Sequence, residues 1–359
     1  MSAPTTAPDT QGSPAKDRPA THRRRSWWSW LGGVLVLVVT AAAGSWYLQR
    51  EPVIFPEGRA FHDEIVDEPR LDLTSADVAA LLADPDGRPT MNLNSYANPI
   101  YTADASTPRH DLTILRKGPD DGQWGDNELA HQPVPIPKDV EVSSGSDGKI
   151  VVIDPETDQV FDIWRAQEVG GQWQAEWGGV YPLGGDGSSH RSAYGEGRYH
   201  VPWPEPVSRG TGSGISSLAG VIRVEELAQG EIPHALAFST NRSCGPANSG
   251  PYRWPATTTD GWVVNEPCIP QGGRIQLDPS LDLDAVSGLT RVERIIGKAL
   301  QDYGAYAIDI GGARMAFATE AARSAEDRAV FAELDLADDF HMLEELPARY
   351  RMLARWDGS

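Results

Sequence analysis

The chain has 359 residues and a formal charge of -20. Residues 1–50 set six Lys/Arg against Asp9 and Asp17, and the +4 there leaves -24 for the rest. A body this acidic repels phosphate backbones and anionic lipid surfaces, which argues against nucleic acid as a partner. High Pro (28), Gly (36) and Trp (12) favour a turn-rich, all-β domain over a helical bundle.

Residues 1–26 are rich in Pro, Thr, Ala and Ser, hold few large apolar side chains, and read as a disordered cytoplasmic tail. The basic cluster His22-Arg23-Arg24-Arg25 precedes a nearly uncharged stretch over 27–48. At about 1.5 Å per residue that stretch is long enough to cross a bilayer core of roughly 30 Å. Trp27, Trp28 and Trp30 at one end and Trp46 and Tyr47 at the other form an aromatic belt at each edge. The expectation is a single transmembrane helix embedded in the lipid bilayer, with the N-terminus cytoplasmic and the remainder outside the cell. The rival reading is a signal peptide cleaved near Ala41-Ala42-Ala43, and it exports the same domain.

Residues 49–90 read as a lead-in with one short helix, entered at Thr74-Ser75-Ala76-Asp77 and stopped by Asp84-Pro85-Asp86-Gly87. Residues 91–359 are expected to form a β-sandwich of jelly-roll type with a few peripheral helices. Short strands and long loops fill 91–142, with a solvated loop over 118–128. A three-stranded meander follows: 149–154, the turn Pro155-Glu156-Thr157-Asp158, 159–165, the turn Gly170-Gly171, and 172–178. The glycine-rich stretch 184–217 reads as a long irregular segment, of the kind that often lines a site. A short helix over 223–229 closes at Gly230, and a strand covers 234–240. Apolar residues at 292, 295, 296 and 299 give a helix over 290–303 that stops at Gly304. Residues 305–310 and 313–319 look like a hairpin about Gly311-Gly312. A helix near 325–334 and a strand near 350–355 follow.

Several ordered motifs carry a resemblance: Ser146-Asp147-Gly148, Val152-Ile153-Asp154 and Phe161-Asp162-Ile163-Trp164; then Gly220-Val221-Ile222-Arg223-Val224-Glu225-Glu226-Leu227 and Ile232-Pro233-His234-Ala235-Leu236; and finally Ala299-Leu300-Gln301-Asp302-Tyr303-Gly304 with Asp309. With them, 94–319 resembles a family of uncharacterised exported bacterial proteins, in which His often stands at the position of Lys149. The resemblance implies export and, loosely, work on glycans.

Cys244 and Cys268 are the only cysteines, and an even pair in an exported domain implies a disulfide. The alternative is two buried thiols; a zinc site is disfavoured, since no Cys or His lies beside either at ligand spacing. In the meander, alternation places Lys149, Val151 and Ile153 on one face with Val160, Asp162 and Trp164, and sets Trp177 near Asp162. A carboxylate between two indoles and a lysine suits a polysaccharide or cell-envelope glycan. Trp164 and Trp177 would be sugar platforms, Lys149 a hydroxyl partner, and Asp162 an acid or hydrogen-bond acceptor. The structural alternative makes the tryptophans core and pairs Asp162 with Lys149.

Glycoside cleavage usually needs a second carboxyl group roughly 5–10 Å away. Asp147, Asp309 and Glu176 are the candidates, although alternation turns Glu176 to the opposite face. His234 shares a face with Leu236 and Phe238, which suits a core histidine as well as a catalytic one. Gly210-Thr211-Gly212-Ser213-Gly214 is neither a nucleophile elbow nor a phosphate loop. Asp84-Pro85-Asp86-Gly87 and Asp278 with Asp282 and Asp284 fall short of a calcium loop, so a structural calcium is the only cofactor left open. The expectation is a surface protein that binds or hydrolyses polysaccharide, the alternative a non-catalytic structural or partner-docking protein of the envelope.

Overall fold

The computed structural model describes residues 54–56, 59–84, 88–116, 126–189, 208–336 and 340–354. The expected tail and transmembrane helix lie outside the described residues. So do 85–87 of the Asp-Pro-Asp-Gly turn, most of the 118–128 loop and 190–207 of the irregular segment. Among the described residues, no helix is long and apolar enough to cross a membrane.

The fold is mainly β, with several sheets and a few helices. In chain order come α1 (Arg59–His62), α2 (Ser75–Leu82), β1 (Thr90–Asn92), β2 (Ile100–Thr102), β3 (Arg109–His110), β4 (Thr113–Ile114) and β5 (Val134–Pro135). Next are β6 (Ile150–Asp154), β7 (Gln159–Trp164), β8 (Gln167–Val169), β9 (Gln172–Ala175), β10 (Trp177–Pro182), α3 (Val224–Gln229) and β11 (Leu236–Thr240). Then follow β12 (Arg274–Leu277), α4 (Arg291–Asp302), β13 (Ala305–Ile310), β14 (Ala316–Phe317), α5 (Ala325–Glu333), β15 (Phe340–Met342) and β16 (Tyr350–Met352).

The largest sheet runs β15-β1-β14-β11-β13-β12-β16, and a second runs β10-β7-β6-β2. They face each other across a core that includes Ile100, Val151, Ile153, Val160, Tyr306 and Ile308. The outer face of the large sheet, including Phe238, Ala305 and Ala307, packs with Val292, Ile295, Ile296 and Ala299 of α4. Those four are the helix-period positions. Thr290 and Glu293 close a reciprocal capping box at the start of α4, and Gly304 (φ 69°) turns the chain after it. The other face of the smaller sheet (Ile150, Val152, Phe161, Ile163) buries against Ile114, Leu129 and Ala175. Each such fully buried Val, Leu or Ile contributes about 1.5–3 kcal/mol.

The β6–β7 register agrees with the sequence reading: Val151 sits opposite Asp162 and Ile153 opposite Val160. Three expectations need correction. The third strand of the meander is two strands. β9 pairs with β8 and β4, whereas β10 crosses to β7 and places Trp177 opposite Trp164 and Gly179 opposite Asp162. The break falls at Glu176, whose carboxylate is held by Arg165 (2.8 Å) and Arg116 (3.2 Å). The expected hairpin about Gly311-Gly312 does not form, because β11 lies between β13 and β14, parallel to the first and antiparallel to the second. Thr74 precedes α2 as expected, but its hydroxyl donates to Asp72 Oδ1 (2.7 Å) rather than capping the helix.

Candidate functional site

The layer between the two sheets ends in two cavities of about 750 and 670 Å³. Asp147, Lys149, Thr211, Asp309 and Ile310 belong to the walls of both, so these residues form a waist between adjoining spaces. Asp147 and Lys149 arrive from the turn before β6, Asp309 from the end of β13, and Thr211 from the glycine run.

A register slip aims Asp309. Phe238 sits opposite Ala307 but Ser239 opposite Asp309, so β13 carries one extra residue. Strict alternation would turn Asp309 toward the helices with Ala305 and Ala307. With the bulge, Ile308 and Asp309 both reach the second cavity. The Asp309 Oδ1 accepts hydrogen bonds from the backbone of Ile310 (3.0 Å) and Gly212 (3.3 Å).

Asp260 lines the first cavity beside Asp309, and each carboxyl group bears on the other's protonation. Burial, then the like charge of Asp260, pushes Asp309 well above the usual carboxylate range, and Lys149 offsets this only in part. Burial also raises Asp260, against the Gln271 amide that donates to its Oδ1 (2.5 Å) and the charge of Arg209. Nothing in the sequence spacing marks Asp260, and it was not among the expected site residues. Its segment is stapled by the Cys244–Cys268 disulfide, and the Thr259 hydroxyl donates to the Cys244 carbonyl (3.0 Å).

Lys149 Nζ lies 3.1 Å from Asp147 Oδ2. Burial opposes its charge, but Asp147, Asp309 and Asp162 outweigh that and hold the ammonium above its usual range. The alternative in which Lys149 pairs with Asp162 gives way to a pair with Asp147, and Asp162 acts on Lys149 through its field alone.

Asp162 is 2% exposed and roofed by the glycine run. A Cβ on Gly210 would stand 1.9 Å from its Oδ2, and one on Gly212 2.1 Å from the Asp260 carboxyl carbon. Both glycines are needed for this close approach rather than for phosphate. Tyr181 holds the run in place, accepting from the Gly210 N–H (2.6 Å) and donating to the Gly214 carbonyl (3.2 Å). Asp162 Oδ2 accepts from the Ser217 N–H (2.7 Å), and burial pushes its pKa up to about 7. The sequence aimed Asp162 at the groove; the structure puts it behind the wall.

Trp164 and Trp177 both line the first cavity. Trp164 is half-buried, and the guanidinium groups of Arg165 and Arg116 lie 4.6 and 5.1 Å from its ring centroid, so a stacking sugar would share that ring. Trp177, at 2% exposure, packs into the core beyond β7 and contributes wall rather than an open platform. His234 lies outside both cavity walls. Its Nε2 meets Glu226 Oε1 (2.9 Å) and its Nδ1 the Ala235 carbonyl (3.0 Å). Burial disfavours its charge, but the Glu226 carboxylate prevails and raises the pKa.

The Asp278 carboxylate is taken by Ser280 and Arg349, and Asp282 caps Asp284. Among the described residues, no three His, Cys, Asp or Glu side chains gather as a metal site. No protein-family model, curated protein or solved structure matches the chain.

Proposed function

We propose that the chain binds and hydrolyses polysaccharide in this cleft, outside the cytoplasm. The observation that carries the reading is one cavity wall that brings the buried carboxyl groups of Asp260 and Asp309 together with Asp147, Lys149 and Trp164. Asp309, whose burial beside Asp260 favours the protonated form, donates to the leaving glycosidic oxygen. Asp147, ion-paired with Lys149, is the carboxylate that takes a proton from attacking water. Asp162 acts behind them, holding the glycine run.

One observation favours a second reading. Asp260 and Asp309 raise a like-charge conflict inside one cavity, as the carboxyl dyads of peptide hydrolysis do. The test incubates the full-length chain with envelope and plant polysaccharides and, separately, with unfolded polypeptides. New reducing ends that vanish in Asp309→Asn and Asp260→Asn support glycan cleavage. New amino termini with the same dependence support the second reading. Neither product would leave the non-catalytic envelope role.

For the setting, the Cys244–Cys268 disulfide and the acidic charge that follows the basic tail support an ectodomain held by residues 27–48. A reporter fused to the C-terminus should be active only outside the cytosol. For the architecture, the two facing sheets support a sandwich. The parallel pairs β1–β14, β2–β6 and β11–β13 depart from the antiparallel connections of a jelly roll.

A further inference from the structure

The two cavities differ in chemistry on either side of their shared waist. The first carries Trp164, Trp177, Arg116, Arg209 and Asp260. The second sets the hydroxyl and amide groups of Thr90, Asn92, Ser95, Asn98, Ser217 and Ser239 against an apolar wall that includes Ile308, Ala316 and Ala318; apart from the Tyr96 phenol, its ionisable groups are those of the waist.

Within the second space Asn98 is 3% exposed, and its Nδ2 donates to the Thr319 carbonyl (3.1 Å). Its Oδ1 is buried with no hydrogen-bond partner among the described residues. A buried acceptor left unmatched costs about 1–3 kcal/mol and marks this wall as polar ground, while the half-buried Asn92 and Ser95 are the groups open to a ligand there. A neutral sugar brings hydroxyl donors, whereas a uronate carboxylate brings only acceptors.

We propose that the second cavity is a binding subsite for a neutral, hydroxyl-rich sugar unit, so that one glycan chain lies through both cavities and crosses the Asp147–Asp309 waist. This rests on the polysaccharide reading and adds to it which unit sits on the far side of the waist. A chain held on both sides of the reacting carboxyl groups is cut internally, and short oligomers that fill one side bind weakly.

The test titrates the full-length chain with neutral gluco- and xylo-oligosaccharides, mono- to octasaccharide, and with oligogalacturonides, by calorimetry and tryptophan fluorescence. Affinity should rise stepwise once an oligomer is long enough to enter both spaces. Asn92→Ala combined with Ser95→Ala should lower the affinity of the longest neutral oligomers roughly tenfold, the effect of losing one or two hydrogen bonds. The monosaccharide response and the thermal melt should not change. If the double variant misfolds, Ser95→Ala alone repeats the comparison with a smaller expected loss.

Length-independent affinity, or variants that bind long oligomers as tightly as the parent, overturns the subsite while Asp309-dependent cleavage still stands. Tighter binding of oligogalacturonides in the second space overturns its neutral character. If no oligosaccharide of any length binds, the subsite and the polysaccharide reading fall together.

Discussion

Asp162→Asn tests the electrostatics of the buried carboxyl group directly. The side chain is 2% exposed, its Oδ2 is held by the Ser217 N–H, and its Oδ1 has no hydrogen-bond partner among the described residues. Asparagine keeps the acceptor and places an amide where the protonated acid has its hydroxyl. Burial raises the Asp162 pKa from 3.8 to about 7. The unfolded chain therefore ionises first, and the contribution of the protonated group to stability is fully present below pH 3.8 and lost as pH climbs through 7. Between pH 5 and 8 that loss spans about two pKa units, or about 3 kcal/mol. Asparagine has no such loss. Urea unfolding of parent and variant should show the gap between them widening by about 3 kcal/mol in favour of the variant across that range. A gap that stays flat, or that widens in favour of the parent, would refute the assignment of a buried, neutral Asp162.

Gly212→Ala forces a Cβ against the Asp260 carboxyl group and should cost about 1–3 kcal/mol of stability in a denaturant titration. It should also cut glycan release more than tenfold by separating Asp260 from Asp309. Replacing both Cys244 and Cys268 with Ser removes a cross-link of sequence separation 24, and should lower unfolding free energy by about 3 kcal/mol on a chain-entropy account. The same replacement should weaken any Asp260-dependent activity. His234, raised by Glu226, contributes stability that is fully present below its ordinary pKa of about 6.5 and is lost as pH rises through the higher folded value. An NMR titration should find its midpoint above that of a free imidazole, and Glu226→Gln should bring it down.

What could be read from the sequence was local in character. The α4 helix was legible because Thr290, Glu293 and the apolar positions 292, 295, 296 and 299 all lie within one element. The β6–β7 pairing was legible because a short turn fixes its register. The split at Glu176 was not, since it depends on Arg116, a residue 60 positions away. The hairpin failed because β11, distant in sequence, outcompetes the neighbouring strand for both partners. At the site, Asp147, Lys149, Trp164, Trp177 and Asp309 all line one cleft. Alternation alone could not place Asp309, because a register slip carries no residue signature in β13. Asp260 was missed because only folding brings it to Asp309. Asp162 was aimed correctly by face, but the glycine run that covers it comes from a segment whose path the pattern does not disclose.

The order of the large sheet places β15 at one margin and β16 at the other, and both strands come from the short stretch 340–352. While a ribosome is still adding that stretch, β1 and β12 are bare rims that present unpaired amides and carbonyls to any neighbouring chain. The closing of both rims is therefore a single late event. Loss of those few residues would expose two sticky borders at once, and the consequence would be association between nascent molecules rather than a modest drop in stability.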